Sequence, residues 1–207
     1  MAITNYAELQ AAAAAWLVRS DLTARILEFI ALAEIRLNRV LRLRLGEVEQ
    51  SADVGPGDRV VALPAGFVEP LAVWLEVDGA RHPLRLVDPA IIDALEEPGR
   101  PQLCGVDGEG LAFERPCDRP YRVILRMRQR FSLSDVAPVN ALIAEAPDIY
   151  LFATLCEAAP FLRDLELSNS YEARLERAIA EANARDGRRL AKSTLATELP
   201  ALLVERA

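Results

Sequence analysis

The sequence predicts an α+β protein: a four-helix unit built from both chain ends, with a small antiparallel β subdomain inserted between. Three observations carry this. Apolar residues recur at three- and four-residue intervals through the first 44 positions. From position 45 the period shortens toward two and turn signals cluster, and after Ser134 the helical period returns. Each end offers an apolar face with no local cover, so the first and last thirds are expected to pack together. The segments are 1–44, 45–133 and 134–192, followed by an extended C-terminal arm over 193–207.

Asn5 to Arg44 reads as two amphipathic helices joined by a polar break at Arg19-Ser20-Asp21. Asn5 caps the first, with Glu8 at capping-box spacing. Tyr6, Leu9, Ala13, Trp16 and Leu17 share one face of it. Ser20 or Asp21 caps the second, whose apolar face is Ile26, Phe29, Ile30, Ala33, Leu37, Val40 and Leu41. Its other side carries Arg25, Glu28, Arg36, Asn38, Arg39 and Arg42. So short a link favours an antiparallel hairpin.

Leu45 to Gln50 fits either a strand or a fraying helix end. Asp53 to Asp58 is a turn cluster, Arg59 to Pro64 a short strand, and Ala65 to Pro70 a tight connection. Leu71 to Val77 is the best central strand. Asp78-Gly79 signals a hairpin, with a return strand near Arg81 to Val87 in which Pro83 marks an edge or a bulge. Asp88-Pro89 opens a short helix over Ala90 to Glu97. A second hairpin crosses Asp107-Gly108, and Tyr121 to Arg130 alternates most clearly, with Arg122, Ile124, Arg126 and Arg128 on one face.

Val139 to Glu145 reads as a short helix, and Pro147-Asp148 starts a longer one that Pro160 kinks or ends. A charged helix runs from Leu165 to about Leu190 with Leu175, Ile179 and Ala182 as a thin stripe. Ser193 to Ala207 ends in Leu199-Pro200-Ala201-Leu202-Leu203-Val204, apolar and with no partner in its own neighbourhood.

A formal net charge of -7 argues against a dedicated nucleic-acid or membrane binder. Lys192 is the single lysine among 24 basic residues, a bias that fits a GC-rich genome or arginine's use in ordered interface pairs. Cys104, Cys117 and Cys156 match neither a disulfide framework nor a zinc ribbon, and read as buried reduced thiols. Asn5, Glu8 and Gln10 interrupt any signal-like start and the Ala11–Ala15 run is too short to span a bilayer, so a soluble chain without a conventional export signal is expected.

No catalytic constellation is expected, nor a metal or cofactor. His82, the one histidine, sits just past a hairpin turn and reads as exposed. No phosphate-cradling glycine loop is present. Glu96 and Glu97 are adjacent and diverge in direction, unlike a glycosidase pair. Trp16 and Trp74 are in phase with apolar neighbours and read as core. The series Arg36, Arg39 and Arg42 admits three readings: a solvated face paired with Glu28, Glu34 or Glu47, an interface to acidic groups, or a DNA lining that the overall charge disfavours. Arg122, Arg126 and Arg128 read as a wet sheet face.

The runs Tyr6-x-x-Leu9, Trp16-Leu17, Ser20-Asp21-Leu22, Phe29-Ile30-x-Leu32-Ala33-Glu34 and Arg36-Leu37-Asn38-Arg39-x-Leu41-Arg42 resemble the start of tailed-phage head-to-tail adaptor proteins. Leu63-Pro64-x-x-Phe67, Pro147-Asp148-x-Tyr150-Leu151-x-Ala153, Glu157-Ala158-Ala159-x-Phe161-Leu162 and Tyr171-Glu172 extend the likeness in scattered blocks to about Arg189. The resemblance implies a structural protein of the virion's head–tail interface, assembled in the host cytoplasm. It would form a dodecameric ring on the portal protein, extend the DNA channel and give a downstream tail or stopper protein its docking platform. DNA would be contacted non-specifically at most, and no membrane. Arg36, Arg39, Arg42, Leu199, Leu202, Leu203 and Val204 are the expected contacts to the portal or a neighbouring subunit. Two other readings are a virion-associated peptidoglycan-cleaving enzyme, which needs separated carboxylates converging in a cleft, and a DNA-binding helical module, which needs one continuous basic surface.

Overall fold

The computed structural model describes residues 2–41, 44–92, 95–108, 110–162 and 164–204, with side chains described as far as 186 and that of residue 20 excepted. The chain is α+β. Met1–Gly46 and Phe131–Ala207 form one unit, which is helical, and Glu47–Arg130 forms a second, which holds the sheet. Each has its own apolar core.

In the helical unit, α1 (Tyr6–Leu17) starts where Asn5 accepts the Glu8 N–H at 3.0 Å. The Glu8 carboxylate takes the Thr4 N–H and hydroxyl, both at 2.7 Å, so the box closes one residue earlier than Asn5. The break after α1 is a 3-10 turn over Ser20–Arg25 rather than the capped start of a helix. Asp21 is held by Arg19 at 2.8 and 2.7 Å, and α2 (Ile26–Val40) begins without a side-chain cap. The face predicted for α2 is buried at Ile26, Phe29, Ile30, Ala33, Leu37 and Leu41, but Val40, in the last helical position, is exposed.

The other helices are α3 (Ala141–Glu145), capped by Asn140, α4 (Pro147–Leu162), and α5 (Leu165–Val204). α4 packs against α1, α2 and α5 and is buried along nearly its whole length, from Ile149 to Ala159. Pro160 lies in its last turn. α5 presents Tyr171, Leu175 and Ala178 to this core, with Ile179 and Ala182 beside them. Its backbone stays helical past Ser193 and through Pro200, where an extended arm was expected. Trp16 is not core: it is 43% exposed. Its ring meets Phe152 edge-on at 5.8 Å and Tyr171 at 6.4 Å, under the Arg174 guanidinium.

The sheet unit has seven strands: β1 (Glu47–Val54), β2 (Val60–Ala62), β3 (Phe67–Val77), β4 (Ala80–Leu86), β5 (Leu103–Asp107), β6 (Gly110–Phe113) and β7 (Tyr121–Gln129). Their order is β1-β7-β3-β4-β5-β6-β2. All neighbours are antiparallel except β4 and β5, which pair briefly through Arg85–Leu103 and Leu86–Cys104. The two edge strands, β1 and β2, line one apolar cavity of about 30 Å³ with Leu111, Val123 and Leu125, so the sheet curls until its edges approach. Asp78 and Gly79, at φ 52° and 79°, make the β3–β4 turn left-handed at both central residues, the geometry that suits strand twist.

Three expectations change here. The stretch Ala65 to Pro70 is no tight connection beyond Gly66, since β3 begins at Phe67 and absorbs Pro70 through register shifts beside it. The expected helix after Pro89 is only a 3-10 turn, Pro89–Ile91, and positions 93–94 lie outside the described residues. Trp74 and His82 trade places with the reading. Val73 and Leu75 point inward, so alternation turns Trp74 to the outer face, where Arg81 covers its ring at 5.8 Å. His82 pairs with inward-facing Leu75 and is half-buried within β4, not on an exposed turn.

Candidate functional site

Two polar arrangements in the helical unit start from α2. Glu34 and Asn38, one turn apart at the margin of the buried stripe, hold the segment that returns from the sheet unit. Asn38 accepts the Phe131 N–H and donates to the Phe131 and Glu34 carbonyls, each at 2.8 Å. Glu34 accepts the Leu133 N–H at 2.6 Å and the Tyr150 hydroxyl at 3.5 Å. Asn140 completes the set, donating to the Tyr150 oxygen at 2.7 Å and to the Ser132 carbonyl at 3.0 Å. Burial pushes the Glu34 carboxyl up to about 7, against the opposing pull of the Leu133 N–H and the Tyr150 hydroxyl. A carboxyl near neutrality is a common mark of acid–base catalysis. Here its partners are backbone and a buried phenol, themselves part of the packing, so the group is a staple. Sequence reasoning missed both residues; their signal was polar side chains spaced by four along the edge of an apolar stripe.

Arg36 joins α2 to α5. Its guanidinium meets Glu172 at 2.8 and 2.5 Å and Glu157 of α4 at 3.7 Å. Arg36 holds the Glu172 carboxyl below the usual range, and burial pushes the Cys156 thiol beside it up to about 12. With about a third of each side chain exposed, such a bidentate pair contributes on the order of 1 kcal/mol. Arg39 is exposed and has no ion pair among the described residues. Arg42 lies outside the described residues, as do the side chains of Leu199, Leu202, Leu203 and Val204, whose backbone is helical. Of the predicted contact residues, Arg36 and Arg39 are the two whose side chains are described, and both are on α2.

The outward side of α2 carries what the arginine-based reading overlooked. Leu27, Leu32 and Ile35 are each about half exposed (50%, 49% and 50%), with Ala31 exposed between them. The helix thus carries half-exposed apolar side chains on its outward side as well, interleaved with Glu28 and Arg39. The signal was in the sequence as three large apolar residues among the charges of the outer face.

On the outer face of the sheet unit, β7 sets Arg122, Arg126 and Arg128 in a row between acidic strands. Arg126 reaches Glu47 on β1 at 2.5 Å, and Arg128 reaches Glu69 on β3 at 2.6 Å. Arg122 donates to Ser51 at 3.0 Å and is in register with Asp53 and Glu76. A polar groove of about 160 Å³ lies here, lined by Glu49, Ser51, Glu76, Arg81 and Arg122 among others. The row is compensated within the sheet, which is not the continuous basic surface a DNA-binding module needs. Two glutamates do border the groove, but Arg81 grips Glu49 at 3.0 and 2.7 Å and holds its carboxyl below the usual range. A glycosidase needs the opposite in its proton donor.

Among the described residues no three His, Cys, Asp or Glu are grouped to hold a metal ion, and no helix is long and apolar enough to cross a membrane. All three cysteines are free and buried, and burial raises Cys104 to about 12 and Cys117 to about 11. Stapled helices, internally paired charges and a half-exposed apolar helix side are what the described residues offer. The chain matches the family model described as SU10 adaptor protein over residues 4–197, and it belongs to that family of phage head-to-tail adaptors. No curated protein matches the chain. Membership makes it a phage structural protein of the virion, meeting portal and tail components.

Proposed function

We propose that copies of this chain form a ring on the portal protein, extend the DNA channel and give the tail or stopper protein its docking platform. The observation that carries this reading is the outward side of α2, where Leu27, Leu32 and Ile35 stay half exposed opposite a fully buried stripe. A helix apolar on both sides calls for a second cover, and a repeated heterologous contact closes into a ring. The resemblance makes that ring dodecameric. Arg39, with Arg42, borders the contact, and Arg36 serves it by fixing α5 against α2. The segment 193–207, with Leu199, Leu202, Leu203 and Val204, is the arm that reaches the portal or the adjacent subunit. Its leucines and valine would be buried on that partner, as the apolar face of a helix is in a groove. No catalytic step is involved, and DNA passes without specific contact.

The test is to add the purified chain to portal-bearing, tailless heads and image them. We expect a ring of density under the portal. Deleting residues 193–207 is expected to leave the subunit folded and abolish attachment. Truncated chains that join heads at full occupancy would sink the arm's assignment, and heads that never gain the ring would sink the adaptor reading itself.

A further inference from the structure

The outward side of α2 has a spacing and a symmetry of its own. Glu28, Leu32, Ile35 and Arg39 follow one another at intervals of four, three and four residues, the spacing of a coiled-coil seam. At about 100° per residue the four lie within about 60° of one another on the helix, and all four are exposed. The seam reads acid, apolar, apolar, base. Its two halves mirror each other about the level between Ala33 and Glu34, with opposite charges at the two ends. Ala31, beside the seam and also exposed, is small enough to let a second helix come close. The chain itself does not use up either charge. Arg39 has no ion pair among the described residues. Both bonds from Arg25 go to Oε2 of Glu28, in an exposed pair of the kind that contributes little.

We infer that two copies of the free chain pair through this seam, α2 antiparallel to α2, about a two-fold axis at the level between Ala33 and Glu34. In that register Glu28 of each copy meets Arg39 of the other, and Leu32 of each meets Ile35 of the other. Charge selects the arrangement. Parallel pairing sets Glu28 on Glu28 and Arg39 on Arg39. A slip of one heptad in the antiparallel pair sets Glu28 on Leu32 in one direction and Arg39 on Ile35 in the other. Like charges and unpaired charges at a contact are the usual means of rejecting a wrong register. A contact of this symmetry is complete at two copies, so it is not the one that repeats around a ring. It covers the outward side of α2 while the chain is free. A seam of about three turns is at the small end of specific interfaces, so the pair is weak and reversible and parts when the ring forms. The pairing stands without the ring, and only its giving way to one rests on the ring reading.

The experiment is sedimentation of the full chain over a range of concentrations, where a monomer–dimer equilibrium is expected. Arg39→Glu and Glu28→Arg, each at an exposed position, turn both end contacts into like charges at once. Each alone should weaken pairing about tenfold or more. The two variants mixed in equal amounts should pair with one another, and the chain carrying both substitutions should pair as the unsubstituted chain does. Ile35→Ser should lose pairing with its thermal unfolding unchanged. A chain that is monomeric at every concentration up to about 1 mM overturns the inference. So does a species that grows past two copies, a dimer indifferent to the single charge reversals, or pairing that mixing does not restore. Portal-bearing heads separate this inference from the ring reading. Heads that gain a ring from a chain with no free dimer overturn the pair and leave the ring. A dimer that answers the charge variants as expected but never joins heads overturns the ring and leaves the pair.

Discussion

Glu34 shows how one side chain can be set against its surroundings for the sake of the fold. Its carboxyl rises from an ordinary 4.5 to about 7 because burial outweighs the hydrogen bonds it accepts. The folded chain therefore holds a proton on Glu34 that the unfolded chain has lost across that interval. Stability falls as pH rises from about 4.5 to about 7, and is level above it. Tyr6 and Tyr150, the titratable neighbours, are raised by burial above their ordinary values and stay neutral throughout. Glu34→Gln keeps an acceptor for the Leu133 N–H without the ionisation. It is expected to flatten this slope and to gain on the order of 1–2 kcal/mol at pH 8, as read from urea unfolding at several pH values. An unchanged slope would place the carboxyl in water.

At the scale of the element, α2 serves three ways: it buries one stripe, grips α5 through Arg36, and clasps the returning chain through Asn38. Asn38→Ala removes the donor and the acceptor facing Phe131, leaving its N–H and carbonyl without their partner. The expected loss is about 2–3 kcal/mol in equilibrium unfolding, larger than an exposed asparagine would give. The buried stripe of α2 was legible because its seven predicted residues recur with a helical period, and six of them are buried. The outer patch was not, because Arg36, Arg39 and Arg42 drew attention to charge while Leu27, Leu32 and Ile35 lay among them. In the strands, alternation was legible on β7, whose inward residues include Tyr121, Val123, Leu125 and Met127. Trp74 was misplaced because an apolar run such as Leu71 to Leu75 does not say which parity faces inward. His82 was misplaced because a hairpin signal gives the turn and not how soon the return strand begins. The Arg36–Glu172 pair spans 136 positions and leaves no local trace.

At the scale of the whole molecule there are two cores in one chain. Phe29 is 1% exposed in the helical core and Leu75 is 0% exposed in the sheet core. Calorimetry is expected to resolve two transitions, with Phe29→Ala costing about 3–5 kcal/mol in one and Leu75→Ala about 2–5 kcal/mol in the other. A single transition moved equally by both would mean the cores melt together.

The sheet unit also leaves and rejoins its host at neighbouring points, since Glu47, its first residue, is in register with Arg128, two before its last. A module whose two ends lie on adjacent strands can be cut out or exchanged as a cassette between Gly46 and Phe131. Recombination between phage genomes at those two borders would give a lineage a new sheet unit beside an unchanged helical one, without refitting the residues that fill the helical core.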